Sequence, residues 1–130
     1  MIVVDSSALL AILFKEAEKQ SFEVILSGGD RCVISAVNAH ETACVLRLRH
    51  DQAMVEEFWR LLEENEIEIF PFDEIQVRAA AAALDRYGKG INSKARLNLC
   101  DCAAYALAKT MNAPLFKGND FTATDLRAAI

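Results

Sequence analysis

The stretch from Asn98 to Asp125 constrains this chain more than any other. Asn98-Leu99-Cys100-Asp101-Cys102 leads into Ala103 to Ala108 with hardly a polar side chain, followed by Pro114-Leu115-Phe116 and the polar Lys117-Gly118-Asn119-Asp120. It reads as a buried helix, a short interior strand and the turn where that strand stops. An aspartate stands at each element end, Asp101 where the helix begins and Asp120 where the strand finishes. In an open α/β sheet, element ends on one edge converge on a crevice, the usual place for a ligand.

The remaining chain alternates in the same way. Ile2 to Val4 is an apolar run bounded by Asp5-Ser6-Ser7, as expected of a central strand covered on both faces. Helices are expected over Ala8 to Phe14 and from about Glu16 to Leu26, the latter stopped at Ser27-Gly28-Gly29. Cys32-Val33-Ile34 is the next strand, and Ser35 caps a helix reaching about Arg49. A helix over Gln52 to Glu64 precedes a strand from Ile67 to Phe70, broken by Pro71. Asp73 opens an alanine-rich helix to about Tyr87, Gly88 to Ser93 forms a loop, and Thr122 to Ala129 reads as a short terminal helix. Strands alternating with helices predict a parallel sheet with right-handed crossovers, α/β in class.

Length and composition fit one domain over residues 1–130. A chain of 130 residues buries roughly 68–70% of its unfolded surface. Two prolines and five glycines leave no room for a linker, and no apolar run approaches the ~20 residues of a membrane helix. The chain enters a strand at once, without the basic segment or cleavage site of a signal peptide. A net charge of −5 argues against a general nucleic-acid binder, although a cluster of metal ligands would inflate the negative count. Cys32, Cys44, Cys100 and Cys102 show no C-x-x-C spacing. They read as small core residues in a reducing, cytoplasmic compartment.

Two further carboxylates are expected on the same edge as Asp101 and Asp120. Asp5 ends the first strand, where it serves equally as a helix N-cap, though Ser6 and Ser7 are able to cap as well. On a helical wheel of the segment from Ser35 to Arg49, Glu41 falls inside an apolar arc of Val37, Cys44, Val45 and Leu48. A carboxylate facing a core is costly unless it pairs with a cation or binds a metal. His40 lies at the edge of that arc and reads as a boundary residue. Asn98-x-x-Asp101 also has the form of a capping box, and Asp120 and Asp125 suit a turn and a helix start respectively. Two carboxylates ~4 Å apart repel by about 4 kcal/mol at an effective dielectric of 20. Several together call for a divalent cation, and all-oxygen ligands favour Mg²⁺ or Mn²⁺. Such ions suit phosphodiester hydrolysis.

Taken together, the chain resembles PIN-domain ribonucleases of the VapC type, the toxin half of bacterial and archaeal toxin–antitoxin pairs. The resemblance runs essentially the whole length. It is carried by Val3-Val4-Asp5-Ser6-Ser7-Ala8-Leu9, Ser35-Ala36 leading to Glu41-Thr42, Leu97 through Ala106, and Leu115 through Phe121. It implies a three-layer α/β/α sandwich with a mainly parallel sheet of four or five strands, and a Mg²⁺- or Mn²⁺-dependent endoribonuclease. Asp5, Glu41, Asp101 and Asp120 match the metal-binding and catalytic acids, Ser7 a hydroxyl residue that orders the site, and Asp125 a less consistent fifth acid. One departure is Cys100, where the family usually has glycine. The resemblance also implies a homodimer and a VapB-type antitoxin whose tail blocks the acids.

RNA approaching an acidic protein needs local positive charge. Arg86, Lys89, Lys94 and Arg96 surround the glycine loop before the acidic helix, and Lys117 lies near Asp120; a merely solvated loop is the alternative. Trp59, at the edge of the apolar arc of Met54, Val55, Phe58, Leu61 and Leu62, is a candidate partner contact. A receiver domain would need an acidic pair after the first strand, and a haloacid-dehalogenase-type hydrolase would need Asp-x-Asp; Ser6 and Ser7 occupy those positions. A catalytically degenerate PIN-fold module binding RNA or protein remains the rival reading.

Overall fold

The computed structural model describes residues 1–15, 19–92, 94–116 and 125. Its elements run β1 (Ile2–Val4), α1 (Ser6–Leu13), α2 (Lys19–Leu26), β2 (Cys32–Ser35), α3 (Ala36–Arg49), α4 (Gln52–Glu64), β3 (Glu68–Phe70), α5 (Glu74–Tyr87), α6 (Leu99–Thr110) and β4 (Leu115–Phe116). The expected terminal helix from Thr122 to Ala129 and the expected start of α2 at Glu16 lie outside the described residues.

Local chemistry accounts for the helix starts. Asp5, Ser35, Asp51, Asp73 and Asn98 each stand in extended backbone and accept a main-chain N–H from the first turn that follows. That satisfies donors a helix start otherwise leaves unpaired. At α6 the exchange is reciprocal, since Asn98 accepts from the Asp101 N–H and Asp101 accepts from that of Asn98.

The four strands among the described residues form one parallel sheet in the order β3-β2-β1-β4. Alternation along the central strands divides the core. Ile2, Val4, Cys32 and Ile34 pack with α1, α2, α3 and α4, whereas Val3 and Val33 pack with α5 and α6. The result is the expected three-layer sandwich. Helix α6 is apolar all round because it meets α5, α3 and strands β1, β2 and β4, leaving little of its surface to water. Its residues 102 to 108 are buried without interruption.

From β1 the chain steps outward to β2 and β3, then crosses back to place β4 on the other side of β1. The order therefore reverses between β1 and β4, and the crevice outside their carboxyl ends is where such sheets bind ligands. Asp5 follows β1 directly, and α6 begins beside the same edge.

The buried face of α3 differs from the expected one. Asn38, Ala39, Thr42 and Leu46 face inward, while Cys44 is exposed and Leu48 is 83% exposed. The arc of Val37, Cys44, Val45 and Leu48 is thus not the core-facing side. Two polar residues occupy the core instead, held by hydrogen bonds from their donors, Thr42 Oγ1 donating to the Asn38 carbonyl and Asn38 Nδ2 to that of Cys100. Cys44 correspondingly leaves the expected set of core cysteines and touches His40 on the surface. The α4 arc holds, with Val55, Phe58 and Leu62 buried and Met54, Trp59 and Leu61 packed beside them.

Candidate active site

Three of the four predicted principal acids are described, and they gather at the carboxyl edge of the sheet. Asp5 is buried, and its Oδ2 accepts from both the Ser7 N–H at 3.0 Å and the Ser7 hydroxyl at 2.7 Å. Asp5 is therefore the cap, and Ser7 serves it rather than competing with it. Ser6 is freed to face α3. Its hydroxyl proton is shared between Glu41 Oε1 at 3.1 Å and the Asn38 carbonyl at 3.2 Å.

Glu41 is half-buried, at the margin of the core and not within it. Asp101, also half-buried, is held by the capping box in the first turn of α6. Cys100, at the start of α6, lies within electrostatic reach of all three. Partial burial, a hydrogen bond to Glu41 and the negative charges of Glu41, Asp101 and Asp5 push its thiol up from 9.0 to about 12. A neutral thiol thus sits at the start of α6, in the field of three carboxylates. Burial and the charge of Asp101 likewise raise Cys102, to about 11.

Each carboxylate keeps its own local donor, and no three His, Cys, Asp or Glu side chains among the described residues close into a ready metal cage. The donor chemistry nevertheless fits a hard cation, since the acids offer only oxygen and the one sulfur is held protonated. Asp120 and Lys117 lie outside the described residues.

Asp125 has a different occupation. It accepts from the Tyr105 hydroxyl at 2.6 Å and from the Lys109 ammonium, one and two turns beyond Asp101 on α6. The Lys109 hydrogen bond, then that of Tyr105, holds its carboxyl below the usual range. Burial, then the bond to Asp125, raises the Tyr105 hydroxyl. This arrangement ties residue 125 back to α6. Tyr105, Lys109 and Ser6 carried no signal in the sequence, because a hydroxyl or an ammonium on a helix has many uses until its partner is known.

The basic loop is built firmly. Leu97 N–H donates to the Tyr87 carbonyl, Lys89 N–H to that of Leu97, and the Asn92 side chain accepts from the N–H groups of Lys94 and Ala95. Lys94 and Arg96 are exposed, and Arg96 is held left-handed at φ 56° two residues before the Asn98 cap. Trp59 lies elsewhere, lining a hollow of about 960 Å³ at the opposite edge of the sheet beside Arg31 and Glu68.

Comparison with known proteins accords with this geometry. The family model described as "PIN domain" matches residues 2–126. VapC ribonuclease Mb2780c of Mycobacterium bovis is 38% identical over 128 residues, spanning 98% of each chain. The chain belongs to the PIN-domain family, VapC type. Among solved structures, VapC20 of Mycobacterium tuberculosis, described as a sarcin-ricin loop cleaving toxin, superposes with a TM-score of 0.78 at 15% identity, covering 97% of this chain and 96% of that one. VapBC2 of Rickettsia felis, solved on a DNA fragment from its promoter, gives 0.73 at 15% identity, covering 98% and 96%. Both likenesses concern the fold. No helix among the described residues of this VapC-type domain is long and apolar enough to cross a membrane.

The thiol environment has a direct consequence. Iodoacetamide at pH 8 is expected to alkylate exposed Cys44 of the native protein and spare Cys100, with all four cysteines reacting in urea; peptide mass spectrometry reads the sites. Because the Cys100 pKa is raised in the fold, its contribution to stability is complete below pH 9.0 and lost as pH climbs toward about 12. Alkylation of Cys100 as fast as Cys44 would contradict its placement among the acids.

Proposed function

We propose that this protein is the ribonuclease toxin of a VapBC-type toxin–antitoxin pair, an endonuclease that hydrolyses RNA phosphodiester bonds with Mg²⁺ or Mn²⁺. The observation that carries the reading is the placement of Asp5, Glu41 and Asp101 on elements tied together where the strand order reverses, Ser6 bonding Glu41 and Asn38 bonding the Cys100 carbonyl. The 38% identity to a curated VapC ribonuclease over nearly the whole chain supports the same reaction and substrate class. A VapB-type antitoxin is the proposed partner on the strength of that family.

Asp5, Glu41 and Asp101 would hold the ion, with Asp120 completing the set as the resemblance implies. The chemistry supplied by a bound ion is neutralisation of the phosphate and acidification of water for in-line attack. The chain's own residues prepare the acids for it. Ser7 orients Asp5 through two hydrogen bonds, Ser6 steadies Glu41, and Asn98 fixes Asp101. Lys94 and Arg96 offer cations to the RNA backbone from a loop that leads straight to Asp101. A left-handed arginine costs of order 1 kcal/mol or more, which favours a positional role over a merely solvated one.

Asp5→Asn is expected to retain a folded chain, since asparagine caps a helix as well as aspartate, while lowering metal-dependent cleavage of a mixed RNA panel at least about 100-fold, as loss of a principal ligand does. Cleavage at the native rate would overturn the assignment, and a chain that binds RNA without cleaving it in Mg²⁺ or Mn²⁺ would establish the degenerate module instead.

The same RNA serves to test the loop. Replacing Lys94 and Arg96 by alanine is expected to weaken binding and to reduce the steepness of its salt dependence by about 1.4, two phosphate contacts at ~0.7 each on single strands. An unchanged slope in a filter-binding titration would leave both as ordinary solvated side chains.

The exposed apolar side of α3 supports a homodimer. Leu48 is 83% exposed, Cys44 is exposed, and Val37 and Val45 are only half covered, a stripe a second copy would shield. Leu48→Lys is expected to convert the dimer to a monomer in light scattering; an unaltered dimer mass would locate the interface elsewhere.

A further inference from the structure

Asn38 is a fully buried polar side chain, 1% exposed, on the inward face of α3 less than one turn before Glu41. Its carboxamide Nδ2 donates to the Cys100 carbonyl at 2.9 Å, across 62 positions of sequence. Its own main-chain carbonyl accepts from Ser6 Oγ at 3.2 Å and from Thr42 Oγ1 at 2.7 Å. One residue thereby joins the three helices that carry or follow the acids. Ser6 comes directly after Asp5, Cys100 directly before Asp101, and Glu41 is three residues along the same helix as Asn38.

The site is an expensive one for a carboxamide. Asn38 Oδ1 is buried with no hydrogen-bond partner among the described residues, a cost that an apolar side chain avoids. Ala39 and Leu46 beside it on the inward face show that apolar residues are accommodated there. A core selected for stability alone has no use for an asparagine whose oxygen goes unpaired. What asparagine adds is the directional bond to the first turn of α6, and that turn carries Asp101.

We propose that Asn38 is a positioning residue of the acidic site, its carboxamide holding the start of α6 against α3 so that Glu41 and Asp101 address one cation. This inference rests on the metal reading given above. Asn38 touches neither substrate nor ion; it acts through the Cys100 carbonyl, as groups behind metal ligands characteristically do.

The test is Mn²⁺ binding to the full chain by titration calorimetry, with thermal unfolding and hydrogen exchange of the amides from Leu99 to Cys102 measured in parallel. Asn38→Leu keeps the branched shape, at a somewhat larger volume, and removes the donor. It is expected to fold, to bind Mn²⁺ about 10- to 100-fold more weakly, in line with loss of a group behind the ligands, and to exchange the first-turn amides of α6 faster. Asn38→Ala, which demands no new space, carries the same reading where leucine does not pack. Thr42→Val removes a bond to the same carbonyl within α3 and leaves the bridge to α6 in place, so its Mn²⁺ affinity is expected to stay within about twofold, within the usual effect of a local helix bond. Native Mn²⁺ affinity in a folded Asn38 variant, or an equal loss in Thr42→Val, would overturn the positioning role and leave the nuclease reading standing. A native chain that binds no Mn²⁺ would overturn the metal reading and this inference together.

Discussion

Three carboxylates beside an apolar core are tolerable only if each has a donor of its own, and the carboxyl edge of this sheet is arranged around that need. Asp5 takes two hydrogen bonds from Ser7, Glu41 takes one from Ser6, and Asp101 takes one from the main chain of Asn98. These bonds offset part of the desolvation cost that an ionised group pays at a partly buried position. Burial first, then the bond to Glu41 and the charges of Glu41, Asp101 and Asp5, keeps the neighbouring Cys100 thiol neutral.

The positions of the acids follow from topology. A parallel sheet needs crossover helices, so each strand ends on the edge where the next helix begins. Asp5 is simultaneously the end of β1 and the cap of α1, and Asp101 is simultaneously a capping residue and a member of the cluster. The capping use and the proposed functional use therefore coincide at these residues and do not compete. The buried helix α6 makes the coincidence precise in space, since a helix covered on nearly all sides cannot shift without disturbing both core layers.

Helix α3 shows where pattern reading reaches its limit. The arc of Val37, Cys44, Val45 and Leu48 is apolar, yet the chain turns Asn38 and Thr42 inward and leaves Leu48 outside. Periodicity reports which residues share a face; it does not report which face the rest of the protein covers. Here hydrogen bonds to the carbonyls of Asn38 and Cys100 let two polar residues into the core. Glu41 is consequently at the margin of the core and not inside it, although the resemblance singles out the same residue.

Element order, the parallel α/β class and nearly every helix start were determined by the sequence itself, because caps, glycine stops and short apolar runs act over a few residues. The capping box at Asn98 and Asp101 was legible for the same reason. Tertiary structure alone decided that Ser6 reaches Glu41, that Asn38 reaches Cys100 and that Asp125 turns back to Tyr105 and Lys109. Those partners lie between 16 and 62 positions apart. A short polar side chain carries no mark of which distant group it will meet until the packing of the layers has brought the two within hydrogen-bonding distance.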